Sequence, residues 1–391
     1  MPQNIFKPSE IFDISSIMKD NVLSKNAIYT YTDIFKFDEK NLDSKIIYFD
    51  NLDKILDFYE NDLVIVCQSG IKIYDLNNFL ANYNLSFYYN DYDKNQNVGN
   101  LRLIDFIMKN DTGVIESSNR LFNQSILGLD VILPCGTIVN CGGKVVKNVT
   151  GYDITKLFIG SYNSLAIPVN VNLRLSSRRT NSETVCLCFD SGEFLFEILN
   201  FIYHANLKPI VWQVFNKKDK IFTGKLPDAA KFNYSMIIQF DNFEDKFAQL
   251  IQNKFSEHKY FLYDISDELT DVLLKLNQLH FNIDNDNQII VNMSLKNSIN
   301  LIEKFSNVQF VLSPSQNKIK FVNLSSNELL DLYSAIKLYG DTILEIRYNG
   351  KITVVYTDKI NAEYNLFKSY KQKFDPDLVL NSNIKCQKSY E

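Results

Sequence analysis

The placement of glycine constrains this chain more than any other feature. Only 13 of its 391 residues are glycine, about half the usual share. Eight of them, Gly99, Gly113, Gly128, Gly136, Gly142, Gly143, Gly151 and Gly160, fall in one stretch, where an even spread would leave about two. A chain that has otherwise shed glycine keeps it where the backbone turns left-handed or where another group approaches closely. Two readings follow: tight turns in a β-rich segment, or a loop whose backbone meets a ligand. Residue chemistry alone leaves both open.

The rest of the composition narrows the function classes. Hydrophobic residues make up 46% and charged residues 22%, values of a folded chain and not of a disordered one. Lys and Arg number 41 against 46 Asp and Glu, a net charge of −5, without the basic footprint of a nucleic-acid binder. No apolar run approaches the ~18 residues of a spanning helix, and Met1–Lys7 lacks the apolar core of a secretion signal. A cytoplasmic protein is expected.

Six cysteines stand at 67, 135, 141, 186, 188 and 386, with no Cys-x-x-Cys. They read as reduced thiols, with Cys186 and Cys188 expected on opposite faces of a strand. His204, His258 and His280 lie too far apart for a histidine metal motif. No metal site is expected.

Hydrophobic periodicity gives an α+β fold. In the first third, Ser9–Lys19 reads as helix, Ala27–Tyr31 and Ile46–Phe49 as strands, and Leu52–Tyr59 as a short helix. Leu63–Cys67 reads as a buried strand and Ile71–Asn82 as an amphipathic helix, with Ile73, Leu76, Phe79 and Leu80 on one face. Alternation then takes over. Leu127, Leu129, Val131 and Leu133 mark one strand, and Val169, Val171, Leu173 and Leu175 another, with Pro168 at an edge or a bulge. Pro134-Cys135-Gly136 is turn chemistry. Asp153 is placed to cap a short helix, Ile154–Ile159, and Gly160 to end it left-handed. The polar run Ser176–Ser182 is the linker candidate. Beyond it, two rounds of strand and helix predict a second α+β domain, and a last helix, Asn361–Phe374, leads into Asp375–Asn381. The expected domains are 1–176, 177–356 and a returning segment 357–391.

Several known site motifs fail. Gly142-Gly143-Lys144 resembles the end of a P-loop, but Ile138 and Val145 stand where that motif needs Gly and a hydroxyl. Neither Gly-x-Gly-x-x-Gly nor Gly-x-Ser-x-Gly occurs. What remains is one dense block from Cys141 to Ser161. It sets glycines, Lys144, Lys147, Asn148 and a Tyr152-Asp153 pair between two strands. Backbone N–H groups, an ammonium and an amide in one loop suit an anionic or carbonyl-rich ligand. A well-capped, solvated loop is the other reading.

This block resembles the FAD-binding subunit of bacterial glycolate oxidase, in the vanillyl-alcohol-oxidase-like (PCMH-type) flavoprotein superfamily. That pattern runs Gly-Gly-x-Val-Val-Lys-Asn-Val-x-Gly-Tyr-Asp, then Leu, then Gly-Ser-x-Gly-x-Leu-Gly. Gly142, Gly143, Val145, Val146, Lys147, Asn148, Val149, Gly151, Tyr152, Asp153, Leu157, Gly160, Ser161 and Leu165 match it. Ile126-Leu127-Gly128-Leu129 is similar to the strand ahead of the loop, and Phe374-Asp375-Pro376 to Asn381 to the family's closing segment. The departures are specific. A glycine-rich loop after the first strand is replaced by Tyr29-Thr30-Tyr31-Thr32-Asp33-Ile34-Phe35, and a Thr-x-Gly-Gly segment by Asn97-Val98-Gly99-Asn100. Asn163 and Ala166 stand where two later glycines are expected.

The resemblance implies a two-part PCMH-type FAD-binding domain with an inserted ferredoxin-like cap and a C-terminal return. It implies FAD, held by Gly99, Gly142, Gly143, Lys147, Asn148, Gly151, Tyr152, Asp153, Gly160, Ser161 and Ile167, with Lys147 and Asn148 next to the flavin or its phosphates. It also implies a glycolate-oxidase-like complex that oxidises a 2-hydroxy acid such as glycolate or D-lactate. The partners would be a larger flavin subunit and an iron–sulfur subunit, and any contact with the inner membrane would be peripheral, through them. No acid or base is assigned on this chain. The alternative expectation is a structural subunit that kept the fold and lost the cofactor.

Overall fold

A computed structural model of the chain describes residues 4–31, 44–87, 101–110, 122–144, 153–178, 182–216, 231–241, 247–264, 287–339, 343–348, 351–356, 361–381 and 384–388. Two compact units emerge. The first combines Met1–Thr112, Arg120–Arg178 and Ala362–Lys385; the second is mainly Arg179–Asn361.

Among the described residues the first unit holds three sheets, one of them only the antiparallel pair Leu85–Ser86 and Ser176–Ser177. A small parallel sheet has the order Ile5–Phe6, Lys45–Tyr48, Ile28–Tyr31. The helix Ile11–Ser24 buries Ile14, Ser15, Met18 and Asn21. An antiparallel sheet of five strands runs in the order Ile55–Tyr59, Val64–Gln68, Ile167–Arg174, Ile126–Ile132, Ile138–Gly142. Val169, Val171, Leu173 and Leu175 are all buried, so the alternation seen in the sequence is a core face. Pro168 sits in a central strand, not at an edge. The register shifts opposite it, between Asp130 and Val131, so a bulge absorbs the missing N–H.

This sheet is strongly curled. Lys144 lies two residues past one edge strand, yet its Nζ reaches Asp57 Oδ2 and Tyr59 Oη, both at 2.8 Å, on the opposite edge strand. One lysine bridges the two edges.

The second unit is a sheet of ten strands. Its first half runs strand Ser182–Phe189, helix Gly192–His204, strands Val211–Asn216 and Tyr234–Asp241, helix Phe247–Lys254, strand Tyr260–Asp264. In space the four strands take the order fourth, first, third, second, the ferredoxin-like arrangement. The second half repeats the scheme with strands Gln288–Asn292, Phe310–Ser313, Lys318–Phe321 and Ile343–Tyr348 and helices Leu295–Lys304 and Ser326–Lys337. The two halves join through their second strands, with Val214 opposite Leu312 and Phe215 opposite Val311. Lys351–Tyr356 and Ile384–Lys388 extend the far edge. The strands turn Val185, Leu187, Trp212, Met236, Ile289 and Phe310 toward Phe194, Ile198, Ile302 and Leu332 of the helices, all in one apolar core. The α+β class expected from periodicity is the fold observed.

Two local expectations are corrected. Leu52–Tyr59 is not a helix; Ile55–Tyr59 is an edge strand. Leu52, Ile55, Leu56 and Tyr59 mimic helical spacing because a register shift between Ile55 and Asp57 breaks the alternation. Cys186 and Cys188 do not point to opposite faces. Positions two apart on a strand share a face, and their sulfurs lie 3.8 Å apart, both buried.

Candidate functional site

The block singled out in the sequence begins where the hairpin Ile126–Ile132/Ile138–Gly142 ends. Gly142 has φ +72°, and a Cβ there would sit 2.3 Å from the Leu127 carbonyl oxygen. Only glycine fits, and the group that comes close is the chain's own backbone. Gly143 continues the seam: its N–H donates to Leu127 O at 3.1 Å, and its carbonyl accepts from Asn172 Nδ2 at 3.1 Å. Burial, with Asp130 and Asp153 adding to it, pushes the neighbouring Cys141 thiol up to about 11. It stays protonated at neutral pH and is no nucleophile.

Gly99, Lys147, Asn148, Gly151 and Tyr152 lie outside the described residues. On the far side of the loop, Asp153 Oδ1 accepts from Thr155 N at 3.2 Å, but the cap position expected for Asp153 falls to Ile154, which makes no side-chain cap bond, and the short helix is Thr155–Phe158. Lys156 donates to the carbonyls of Asn123 and Ile126, and desolvation lowers its pKa against the pull of Asp153. Gly160 turns left-handed at φ +80°, with its N–H on Ile107 O at 2.8 Å. Ser161 Oγ donates to Phe158 O at 2.7 Å. Ile167 is buried and pairs with Ile132 inside the sheet.

The loop's C-terminal flank meets the returning segment. Phe158 packs edge-on against Phe374, with centroids 5.9 Å apart. Beyond Ser161 the backbone makes two left-handed residues in succession, Tyr162 at φ 53° and Asn163 at φ 54°. Around them closes a hub of buried side chains. Asn381 Oδ1 accepts from Thr30 N at 3.0 Å, while its Nδ2 donates to Thr30 Oγ1 at 3.0 Å and to Tyr162 O at 2.6 Å. Asn163 Nδ2 donates to the same Thr30 hydroxyl at 3.1 Å. Thr30 and Asn163 are fully buried and Asn381 is 1% exposed.

A buried ion pair holds the returning segment in this place. Lys371 Nζ donates to Asp375 Oδ2 at 2.6 Å, to Ser164 O at 2.5 Å and to Leu380 O at 3.0 Å. Asp375 accepts in addition from Val379 N at 3.0 Å and Leu380 N at 2.9 Å. Ile28 N donates to Val379 O, and Asn381 N to Ile28 O, so Leu380 lies parallel to the strand Ile28–Tyr31.

The sequence pointed to the two flanks of the block and to the closing tail but not to the joint that Thr30, Asn381 and Lys371 make between them. One signal was present. Asn381 ends the Phe-Asp-Pro segment, and Asn163 stands at a glycine position; Asn is the residue that tolerates the left-handed region there. The two hydrogen-bond to one hydroxyl. His258 pairs with Glu197 at 3.1 Å and stacks on Phe194 in the second unit, and His280 lies outside the described residues.

No family model matches the chain. Among curated proteins it is similar to an uncharacterised FAD-linked oxidoreductase of Mycobacterium tuberculosis, 28% identical over 164 residues, 42% of this chain and 35% of that one. It is similar also to the glycolate oxidase subunit GlcD of Bacillus subtilis, 25% identical over 174 residues, 42% of this chain and 34% of that one. A third relative is the D-2-hydroxyglutarate dehydrogenase of Stutzerimonas stutzeri, 28% identical over 155 residues, 40% of this chain and 32% of that one. The matched stretch thus spans about a third of the relatives' length. Among solved structures, p-cresol methylhydroxylase superposes with a TM-score of 0.69 over 97% of this chain and 88% of its own, at 10% identity. Alkyldihydroxyacetonephosphate synthase gives 0.64 over 96% and 76%, at 12% identity. The chain has the fold of p-cresol methylhydroxylase and is, over some two fifths of its length, a divergent relative of FAD-linked oxidoreductases.

Proposed function

We propose that this chain is an FAD-binding oxidoreductase subunit of a glycolate-oxidase-like complex that oxidises a 2-hydroxy acid. The observation that carries the reading is the buried hub. It draws the strand Ile28–Tyr31, the Tyr162–Asn163 turn and the returning Asp375–Asn381 segment into one joint, at the C-terminal flank of the Lys147–Asp153 block. The names of the relatives supply the chemistry: an FAD-linked oxidoreductase, a glycolate oxidase subunit and a D-2-hydroxyglutarate dehydrogenase.

The residues present fit part of an FAD. Two buried polar atoms beside the block, Thr155 Oγ1 and Asn163 Oδ1, lack a hydrogen-bond partner among the described residues. Both can accept from the hydroxyls of a ribityl chain or a ring N–H. Lys147 and Asn148 would hold the negatively charged diphosphate, and Gly142, Gly143, Gly160 and Ser161 set the path of the loop around it. Bound FAD would supply the hydride acceptor; the chain binds and orients. The partners would be a larger flavin subunit and an iron–sulfur subunit, with any membrane association through them. No helix among the described residues is long and apolar enough to cross a membrane.

The visible spectrum of the purified chain tests the reading. Flavin bands and about one FAD released per chain on denaturation are the expected result, and Lys147→Ala should shed FAD while keeping the fold. A colourless chain that takes up no FAD yet stays bound to its partners would establish the second reading, a subunit that kept the fold alone. The glycine-free Tyr29–Phe35 stretch favours that one.

A further inference from the structure

Asn163 is anomalous in three independent ways. Its side chain is fully buried. Its backbone and that of Tyr162 are both left-handed, a conformation that Asn tolerates better than Tyr and that glycine adopts most freely. One end of its amide is tied to Thr30 while Oδ1 has no partner among the described residues. An unmet buried acceptor has lost its water without a bond in return. Glycine would relieve both costs, since it turns left-handed freely and carries no polar group to satisfy. Strain and an unmet polar group at one residue mark a place where the chain gives up stability for something else.

The surroundings say what that is. The Thr30 hydroxyl accepts from Asn163 Nδ2 at 3.1 Å and is itself held by Asn381 Nδ2 at 3.0 Å, so the amide is tied at one end and Oδ1 is fixed in direction. Tyr162 is pinned through its own N–H to Met108 O at 3.0 Å and through its carbonyl to Asn381. A pre-set acceptor of this kind binds a donor without paying for its own ordering.

We infer that Asn163 is a cofactor-binding residue: its Oδ1 accepts a hydrogen bond from a hydroxyl or ring N–H of the bound FAD. This rests on the FAD reading above. It adds a side-chain contact at a position where the resembling family is expected to use bare glycine backbone.

FAD titration of the full chain, followed by flavin fluorescence, tests this with wild type and Asn163→Gly, alongside the melting temperature of each protein stripped of FAD. The wild type should bind, and N163G should bind about tenfold more weakly, the worth of one net hydrogen bond. Its stripped form should melt at the same temperature or higher, an effect that a merely structural role for the amide would reverse. Should N163G fail to fold, Asn163→Ser, whose shorter side chain cannot carry the acceptor to the same place, enters the titration under the same criterion. Wild type and variant binding FAD equally would overturn this inference and leave the FAD reading standing. A wild type that binds no FAD would remove both.

Discussion

The two units of this protein are held in different ways. In the second, local rules suffice. Three of its helices start on serine caps: Ser191 accepts from Phe194 N, Ser294 from Asn297 N and Ser325 from Glu328 N. Their apolar stripes settle on strands of plain alternation. In the first unit, the decisive contacts join residues far apart in the chain. Thr30 bonds Asn381, Lys371 bonds Ser164, and Ser15 Oγ bonds Gly136 O. Left-handed non-glycine residues follow the same division. Tyr162, Asn163, Leu378 and Asn381 crowd the hub and Lys25, Leu63, Asn84 and Asn110 lie elsewhere in the first unit, while among the described residues the second unit's are single Asn residues at 206, 317 and 323. Repetition built the second unit as a scaffold; long-range polar bonds and strained backbone concentrate where the first unit would meet a ligand.

The sharpest way to break this contrast is to remove Asp375. It is fully buried and neutralises Lys371, whose side chain is only 13% exposed. Asp375→Ala strands that ammonium and frees the N–H groups of Val379 and Leu380. Breaking a buried pair from one side costs about 3–5 kcal/mol. Urea unfolding should therefore show the first unit melting early, with the second unit's transition unmoved. A single unshifted transition would mean that the returning segment is not what holds the first unit. Next in size is Gly142→Ala. The left-handed backbone alone costs about 1–2 kcal/mol, and the new Cβ must also displace the strand carrying Leu127. A variant as stable as the parent would show that the hairpin end is not constrained there.

In the second unit a change of comparable chemistry should matter less. Ser325 and Glu328 form a reciprocal capping box, Ser325 N donating to Glu328 Oε2 at 2.9 Å and Glu328 N to Ser325 Oγ at 3.3 Å. Ser325→Ala should cost about 1 kcal/mol, read as a shift in the denaturant midpoint with unchanged slope. A loss as large as that of Asp375→Ala would erase the distinction between locally and remotely fixed units.

The same division decided what the sequence made legible. Val169 to Leu175 alternate and are buried as alternation requires, and Gly160 is left-handed as expected, although the extended Ile159 before it already ends the short helix. Alternation failed at Ile55–Tyr59, where a bulge disguised an edge strand. The site was legible as a block because glycine clusters there, yet Gly142 proves to serve the hairpin's own backbone. The Thr30–Asn163–Asn381 hub escaped notice for a physical reason. Each member looks like an ordinary polar residue, and no period or spacing connects side chains that only the closed fold brings together.

The smallest expected effect concerns the curl of the five-stranded sheet. Lys144 bridges its two edges through Asp57 and Tyr59, and its ammonium also sits 5.0 Å from the Tyr59 ring centre. The hydrogen bond to Lys144 holds the Asp57 carboxyl below its ordinary 3.8, and the bonds to Asp57 and Tyr59 raise Lys144 above 10.5. A lowered carboxyl contributes stability above its unfolded pKa and loses it as pH falls through the folded value. A raised amine contributes below its unfolded pKa and loses it as pH rises. The difference in melting temperature between the parent and Lys144→Met should therefore be flat across the neutral range, then shrink below about pH 4 and above about pH 10.5. Both groups face water, so the difference should be small and should fade further in about 1 M salt, where the screening length is near 3 Å. A gap that persists in high salt would assign the bridge's contribution to the lysine stem packing on Tyr59 instead of to its charge. The curl would then be an apolar feature of the sheet, set like the second unit's by local packing.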